Sequence, residues 1–151
     1  MIQNEIIAVG LLKNGPEKDL YDSYNKRLNT PIKLIEIDPR KNTDRKSWQN
    51  ALLPHLNASK SYKIFLDETG KNLTSQALAE KLETLTLHGN STFSFIIGGA
   101  DGFDKNFIKN HADFKLSLSA MTFPHIMARV FLVEQLYRAQ QIIANHPYHR
   151  T

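Results

Sequence analysis

Three features of the 151-residue chain predict an α/β fold built on a largely parallel sheet. Short β-type runs alternate with longer segments of helical period from one end to the other. The pairs Ile6-Ile7 and Ile96-Ile97 are continuously apolar where a half-exposed strand would alternate, which is the pattern of strands covered on both faces. No linker or shift in composition divides the chain, so residues 1–151 read as one domain.

Strands are expected over residues 5–12, 32–37, 62–66, 92–97 and 114–118, each rich in β-branched or aromatic residues and bounded by Gly, Pro, Asn or Asp or by a helix start. Helices are expected over residues 17–28, 44–58, 75–87, 105–111 and 124–145. Thr74 or Ser75 suits the cap of the third helix, and Pro124 suits the first turn of the last. In such folds ligands sit at the C-terminal ends of strands, so the loops that follow strands are the places to search.

Composition narrows the chemistry. With 41% hydrophobic residues, six prolines and seven glycines, the chain has the makings of one core and none of the bias of a disordered or collagen-like sequence. Having no cysteine, it holds no disulfide, thiol nucleophile, iron–sulfur cluster or cysteine zinc site. That points to a reducing, cytoplasmic setting. No signal peptide is expected from the first twelve residues, and no membrane span from residues 123–144, which contain His125, Arg129, Glu134 and Arg138. A net charge of +4 is a modest cationic excess.

Several signatures fail on their chemistry. Gly10 and Gly15 have P-loop spacing, but Pro16 and Glu17 stand where Lys and Ser/Thr must hold phosphate and magnesium. Ile97 takes the first glycine position of a dinucleotide fingerprint, which disfavours a nicotinamide-dependent enzyme. Nucleophile-elbow and zinc-helix motifs are missing, and Pro147 between His146 and His149 argues against a helical metal pair, so no metal is expected.

Two loops and a tail stand out. The turn Gly98-Gly99-Ala100-Asp101-Gly102 follows a buried strand and lets backbone N–H groups approach a ligand, or serves as a tight strand-to-helix turn. The segment Leu118-Ser119-Ala120-Met121-Thr122-Phe123 offers small side chains and hydroxyls at the same sheet edge, or caps the next helix. Arg129 falls in an apolar stripe, which fits a buried ion pair, a subunit interface or an anion site. The terminal His146-Pro147-Tyr148-His149-Arg150 gathers groups that exchange protons, stack on a base and pair with phosphate, or that dock the tail on its own domain. Arg40, Lys41, Arg45 and Lys46 form another basic cluster, which reads as a solvated helix entrance ahead of an RNA contact.

These motifs, from Phe95-Ile96-Ile97-Gly98-Gly99-Ala100-Asp101-Gly102-Phe103 through Leu116-Ser117-Leu118-Ser119-Ala120-Met121-Thr122-Phe123-Pro124-His125 to Asn145-His146-Pro147-Tyr148-His149-Arg150, closely resemble the RlmH family of SPOUT methyltransferases. Weaker matches at Ala8-Val9-Gly10, Leu66-Asp67 and Gly70-Lys71 extend the likeness over the whole chain. The resemblance implies a C-terminal trefoil knot, a homodimer, S-adenosylmethionine as methyl donor, and N3-methylation of a pseudouridine in 23S rRNA; the small net charge predicts recognition of an assembled ribosome rather than naked RNA. Carried over by position, Leu66, Gly98 and Leu118, Ser119, Ala120, Met121, Thr122 and Phe123 would form the cofactor pocket. His149 or His146 would take the proton, Tyr148 would orient the base, and Arg150 or Arg129 would stabilise the anion or hold a phosphate. The rival reading is a non-catalytic RNA- or nucleotide-binding module of the same fold.

Overall fold

The computed structural model describes residues 2–58, 60–145 and 148. Five strands and five helices alternate in the expected order: β1 (Gln3–Val9), α1 (Pro16–Arg27), β2 (Lys33–Ile37), α2 (Arg45–Asn57), β3 (Tyr62–Asn72), α3 (Ser75–Leu87), β4 (Thr92–Ile97), α4 (Lys105–His111), β5 (Phe114–Ser117) and α5 (His125–Ile143). All four strand pairings are parallel, in the order β2-β1-β4-β3-β5.

Consecutive apolar residues in the central strands feed opposite faces of the sheet, because side chains alternate along a strand. Ile6, Ile64 and Phe95 face a layer containing Tyr21 of α1, Leu82 of α3 and Leu136 of α5. Ile7, Phe65 and Ile96 face Trp48 and Leu52 of α2 and Ile108 of α4. The result is a three-layer sandwich with α1, α3 and α5 on one side and α2 and α4 on the other.

Local chemistry sets the helix ends. Asp44 and Thr74 accept hydrogen bonds from the N–H groups of Ser47 and Ala77, which caps α2 and α3. Pro124 lies one position earlier than expected, at the N-cap of α5. At the other end, Asn145 adopts φ 57°, the left-handed turn that ends a helix, so α5 stops short of the expected residue 145.

The main departure from expectation is β3. It does not end at Leu66 but continues to Asn72, and its pairing with β5 shifts register between Leu66 and Lys71. Both residues pair with Leu116, so residues 67–70 bulge outward between them. Gly70 closes the bulge, because a Cβ there would lie 2.8 Å from the Lys115 carbonyl carbon. Periodicity alone does not register such a bulge, since the chain leaves the sheet and rejoins it.

The front of the sheet is tied together by Arg129, which is fully buried on α5. Its Nη1 donates to Glu36 Oε2 of β2 at 2.6 Å and its Nη2 to the Gly10 carbonyl just beyond β1 at 3.2 Å. The same Glu36 oxygen accepts from Leu12 N–H at 2.6 Å. Removing one member of a buried charge pair strands the other, so Arg129→Ala should lower stability by about 3 kcal/mol, read from the midpoint of urea unfolding.

Candidate active site

A cleft of about 520 Å³ opens at the C-terminal ends of β3, β4 and β5. Its size is that of a small-molecule site. Three segments wall it: the β3 bulge, the glycine loop after β4, and the connection from β5 to α5.

The bulge brings Asp67 and Glu68 to the cleft, beside Leu66. Thr69 donates to Asp67 through both its N–H and its hydroxyl, at 3.4 and 2.8 Å, which fixes the turn. Glu68 accepts from the Thr122 hydroxyl at 3.2 Å, joining the bulge to the third wall.

The glycine loop is held from the α2 side. Arg45 donates to the carbonyls of Gly102 and Asp101 at 3.0 and 2.6 Å and to the Asp104 carboxylate at 3.0 Å. Gln49 accepts from Asp104 N–H at 2.9 Å and donates to its carboxylate at 3.0 Å. The glycines are dictated by packing: a Cβ on Gly98 would lie 2.9 Å from the Phe103 ring and 3.1 Å from Trp48, and one on Gly99 would lie 2.9 Å from Trp48 Nε1. Gly102 has φ 71°, which a side chain would strain.

The third wall turns on its own hydroxyls. Ser117 donates to the Ser119 carbonyl at 2.9 Å, and Ser119 Oγ accepts from Met121 N–H at 3.0 Å. Of the residues singled out from the sequence, Leu66, Gly98, Leu118, Ser119, Met121, Thr122 and Phe123 all line the cleft. Ala120 is exposed on the same connection and is not among the lining residues. Asp67, Glu68 and His125 also line it, and sequence reasoning gave them no role.

His125 seats its ring on Gly10, whose φ of 128° leaves no room for a side chain: a Cβ there would lie 2.4 Å from His125 Cε1. Burial, and secondarily the charge of nearby Arg129, hold its pKa below the ordinary 6.5. The imidazole facing the cleft is therefore neutral at physiological pH.

Arg129 lies behind this wall rather than on it. Its guanidinium, buried and bound to Glu36, is out of reach of a phosphate arriving from solvent, which corrects its reading as a substrate contact. Arg45 and Arg40, expected to be merely solvated, are both paired, Arg40 with Asp38 at 2.9 Å. In the tail, Tyr148 packs on the far part of α5: its ring meets Tyr137 edge-on at 4.8 Å, Arg138 lies 4.9 Å from the ring centre, and its hydroxyl donates to Glu134 at 3.4 Å. His146, His149 and Arg150 lie outside the described residues. Among those described, no cluster of residues suits a metal ion, and no helix is long and apolar enough to cross a membrane.

The all-parallel three-layer domain places a glycine-walled cleft at its strand ends, and the chain belongs to the SPOUT methyltransferase family, whose model, "Predicted SPOUT methyltransferase", matches residues 2–149. More narrowly, it is similar to proteins named ribosomal RNA large subunit methyltransferase H. The Rhodospirillum centenum protein is 39% identical over 96% of this chain and 97% of its own length. The Ruminiclostridium cellulolyticum protein is 42% identical over 96% and 98%. A probable methylase family protein from Haemophilus influenzae shares the fold, with a TM-score of 0.63 over 100% of this chain and 72% of its own at 10% identity. Family membership sets aside a nicotinamide-dependent reading and favours an enzyme over an inert binding module.

The depressed pKa of His125 makes a signed prediction. In the unfolded chain the ring binds a proton below about pH 6.5, whereas in the folded protein it resists until lower pH, so its stabilising effect is present above 6.5 and lost as pH falls. Replacing it, as in His125→Gln, should flatten the fall in urea midpoint between pH 7 and pH 5, and an unchanged slope would contradict the assignment.

Proposed function

We propose that this protein uses S-adenosylmethionine to methylate N3 of a pseudouridine in 23S rRNA of the large ribosomal subunit, and that it works in the cytoplasm on an assembled ribosome. The observation that carries the reading is the cleft. Its apolar lining at Leu66, Ile97 and Leu118 suits a nucleoside, its backbone-rich loops suit hydrogen bonding to one, and Asp67 and Glu68 supply negative charge at the same place. These groups fit a cationic methyl donor. Bound S-adenosylmethionine would supply an electrophilic methyl on a positively charged sulfur.

The protein's own share is alignment and proton removal. Leu66, Gly98 and residues 118–123 would hold the donor, with Ala120 contributing backbone alone. The acceptor must lose its N3 proton, and His149 or His146 is the group we assign to take it. Tyr148 orients the base, and Arg150 stabilises the developing anion or holds a phosphate, a task that buried Arg129 leaves to it.

The position of Tyr148 supports a homodimer in which the tail serves the partner's cleft. Tyr148 rests near Tyr137, twelve residues along α5 from cleft-lining His125, a separation of about 18 Å at the helical rise. Its own cleft is thus distant. Beside the cleft, Met121 and Phe131 are 74% and 42% exposed, and Phe131 leans on Phe123 with ring centres 5.2 Å apart. Such an apolar rim is what a second copy would cover.

Calorimetric titration with S-adenosylmethionine, with NADH as control, tests the cleft. Saturable binding of the methyl donor alone is expected, weakened about tenfold or more by Gly98→Leu, in line with an overpacking cost of 1–3 kcal/mol. No binding of the donor would overturn the reading. Separately, deleting residues 148–151 should abolish methyl incorporation into ribosomes while leaving donor affinity unchanged. A truncated enzyme that still methylates would remove the tail from the mechanism.

A further inference from the structure

A second groove, also about 520 Å³, lies beside the cleft and shares Asp67 and Phe103 with it. Three lysines line it: Lys105 and Lys109, one turn apart on α4, and Lys115 on β5. Residues at i and i+4 share a helix face with Cβ atoms about 5–6 Å apart. All three side chains are exposed, and none forms an ion pair among the described residues. Arg40, Arg45, Arg129 and Arg138 differ in this respect, each being bound to a carboxylate.

Two carboxylates also reach the groove, and both accept hydrogen bonds from the protein itself. Asp113 accepts from Lys63 N–H at 2.8 Å, and Asp67 accepts from Thr69. Ile108 of α4 also lines the groove. The three lysines outnumber these two carboxylates and leave the flank of the cleft locally cationic.

We propose that this groove is a docking track for RNA backbone, in which the strand flanking the target nucleotide lays its phosphates along Lys105, Lys109 and Lys115 and turns into the cleft past Phe103 and Asp67. The inference rests on the cleft being the methyl-transfer site for RNA. Unpaired lysines at a wall shared with that cleft match a polyanionic strand in charge and in place, and phosphate contacts of this kind set position without reading sequence.

The test compares wild-type protein with Lys105→Glu/Lys109→Glu/Lys115→Glu and with a control of equal charge change, Lys41→Glu/Lys46→Glu/Lys60→Glu, whose lysines are exposed elsewhere. Donor affinity by calorimetry is expected to be the same in all three. The groove variant should raise KM for ribosomes about tenfold or more over the control and flatten the dependence of log KM on log salt by two to three, since each lost phosphate contact removes about 0.9 from that slope. A groove variant that matches the control overturns the track, and a KM rise without a change of slope overturns it in favour of a ribosomal protein surface. Should the triple variant unfold, acetylation of wild-type lysines decides: Lys105, Lys109 and Lys115 should be protected on the ribosome, and equal labelling with and without ribosomes overturns the proposal. Wild-type protein that binds the donor but methylates no ribosomal particle would instead refute the methyl-transfer reading on which the track depends.

Discussion

A single buried guanidinium holds the cleft end of this domain in register. Arg129 is 0% exposed, and it reaches from the first turns of α5 to Glu36 on β2 and to the Gly10 carbonyl where β1 ends. Burying such a charge is costly, and the structure offsets the cost with a carboxylate that also accepts from Leu12 N–H. Three chain segments, two of them 93 and 119 residues from Arg129, thereby acquire one relative position. Because α5 begins at His125, fixing Arg129 also fixes the ring that seats on Gly10 and the connection that walls the cleft.

The remaining walls are fixed from the opposite side of the sheet. Trp48, Arg45 and Gln49 of α2 hold the glycine loop by packing and by hydrogen bonds, so a loop of nearly bare backbone keeps one shape. The β3 bulge is fixed by Gly70 against β5 and by Thr69 on Asp67. The glycine wall of the cleft is therefore pre-formed, and Trp48, Arg45 and Gln49, which lie outside the lining, determine its geometry. This suits a reaction whose main demand is alignment.

Charge follows a similar division. Arg40, Arg45, Arg129 and Arg138 are spent on internal pairs, whereas the lysines of α4 and β5 form no ion pair among the described residues at the flank of the cleft. The rigid planar guanidinium suits fixed, multidentate bonds, and the ammonium on its flexible stem suits a mobile, solvated partner. Glu134 adds a further internal anchor, binding both Arg138 and the Tyr148 hydroxyl and so seating Tyr148 on α5.

What the sequence by itself determined is the layer order and the location of the cleft. Strand and helix periods, the doubled apolar residues of the central strands, and the side-chain-poor stretches after β4 and β5 are local properties, written within ten residues or so of where they act. The specific motifs at residues 95–103 and 116–125 carried the family resemblance for the same reason. The tertiary structure decided what depends on residues distant in the chain. The continuation of β3 past Leu66 needs β5 as its template, the glycines at 98 and 99 owe their necessity to Trp48 a third of the chain away, and Arg129 became a buried tie because Glu36 stands opposite. Asp67, Glu68 and His125 joined the cleft through a register shift and a glycine contact that no periodicity encodes. Pairings of this kind are set by packing in three dimensions, and a linear pattern records only the half of each that lies on its own segment.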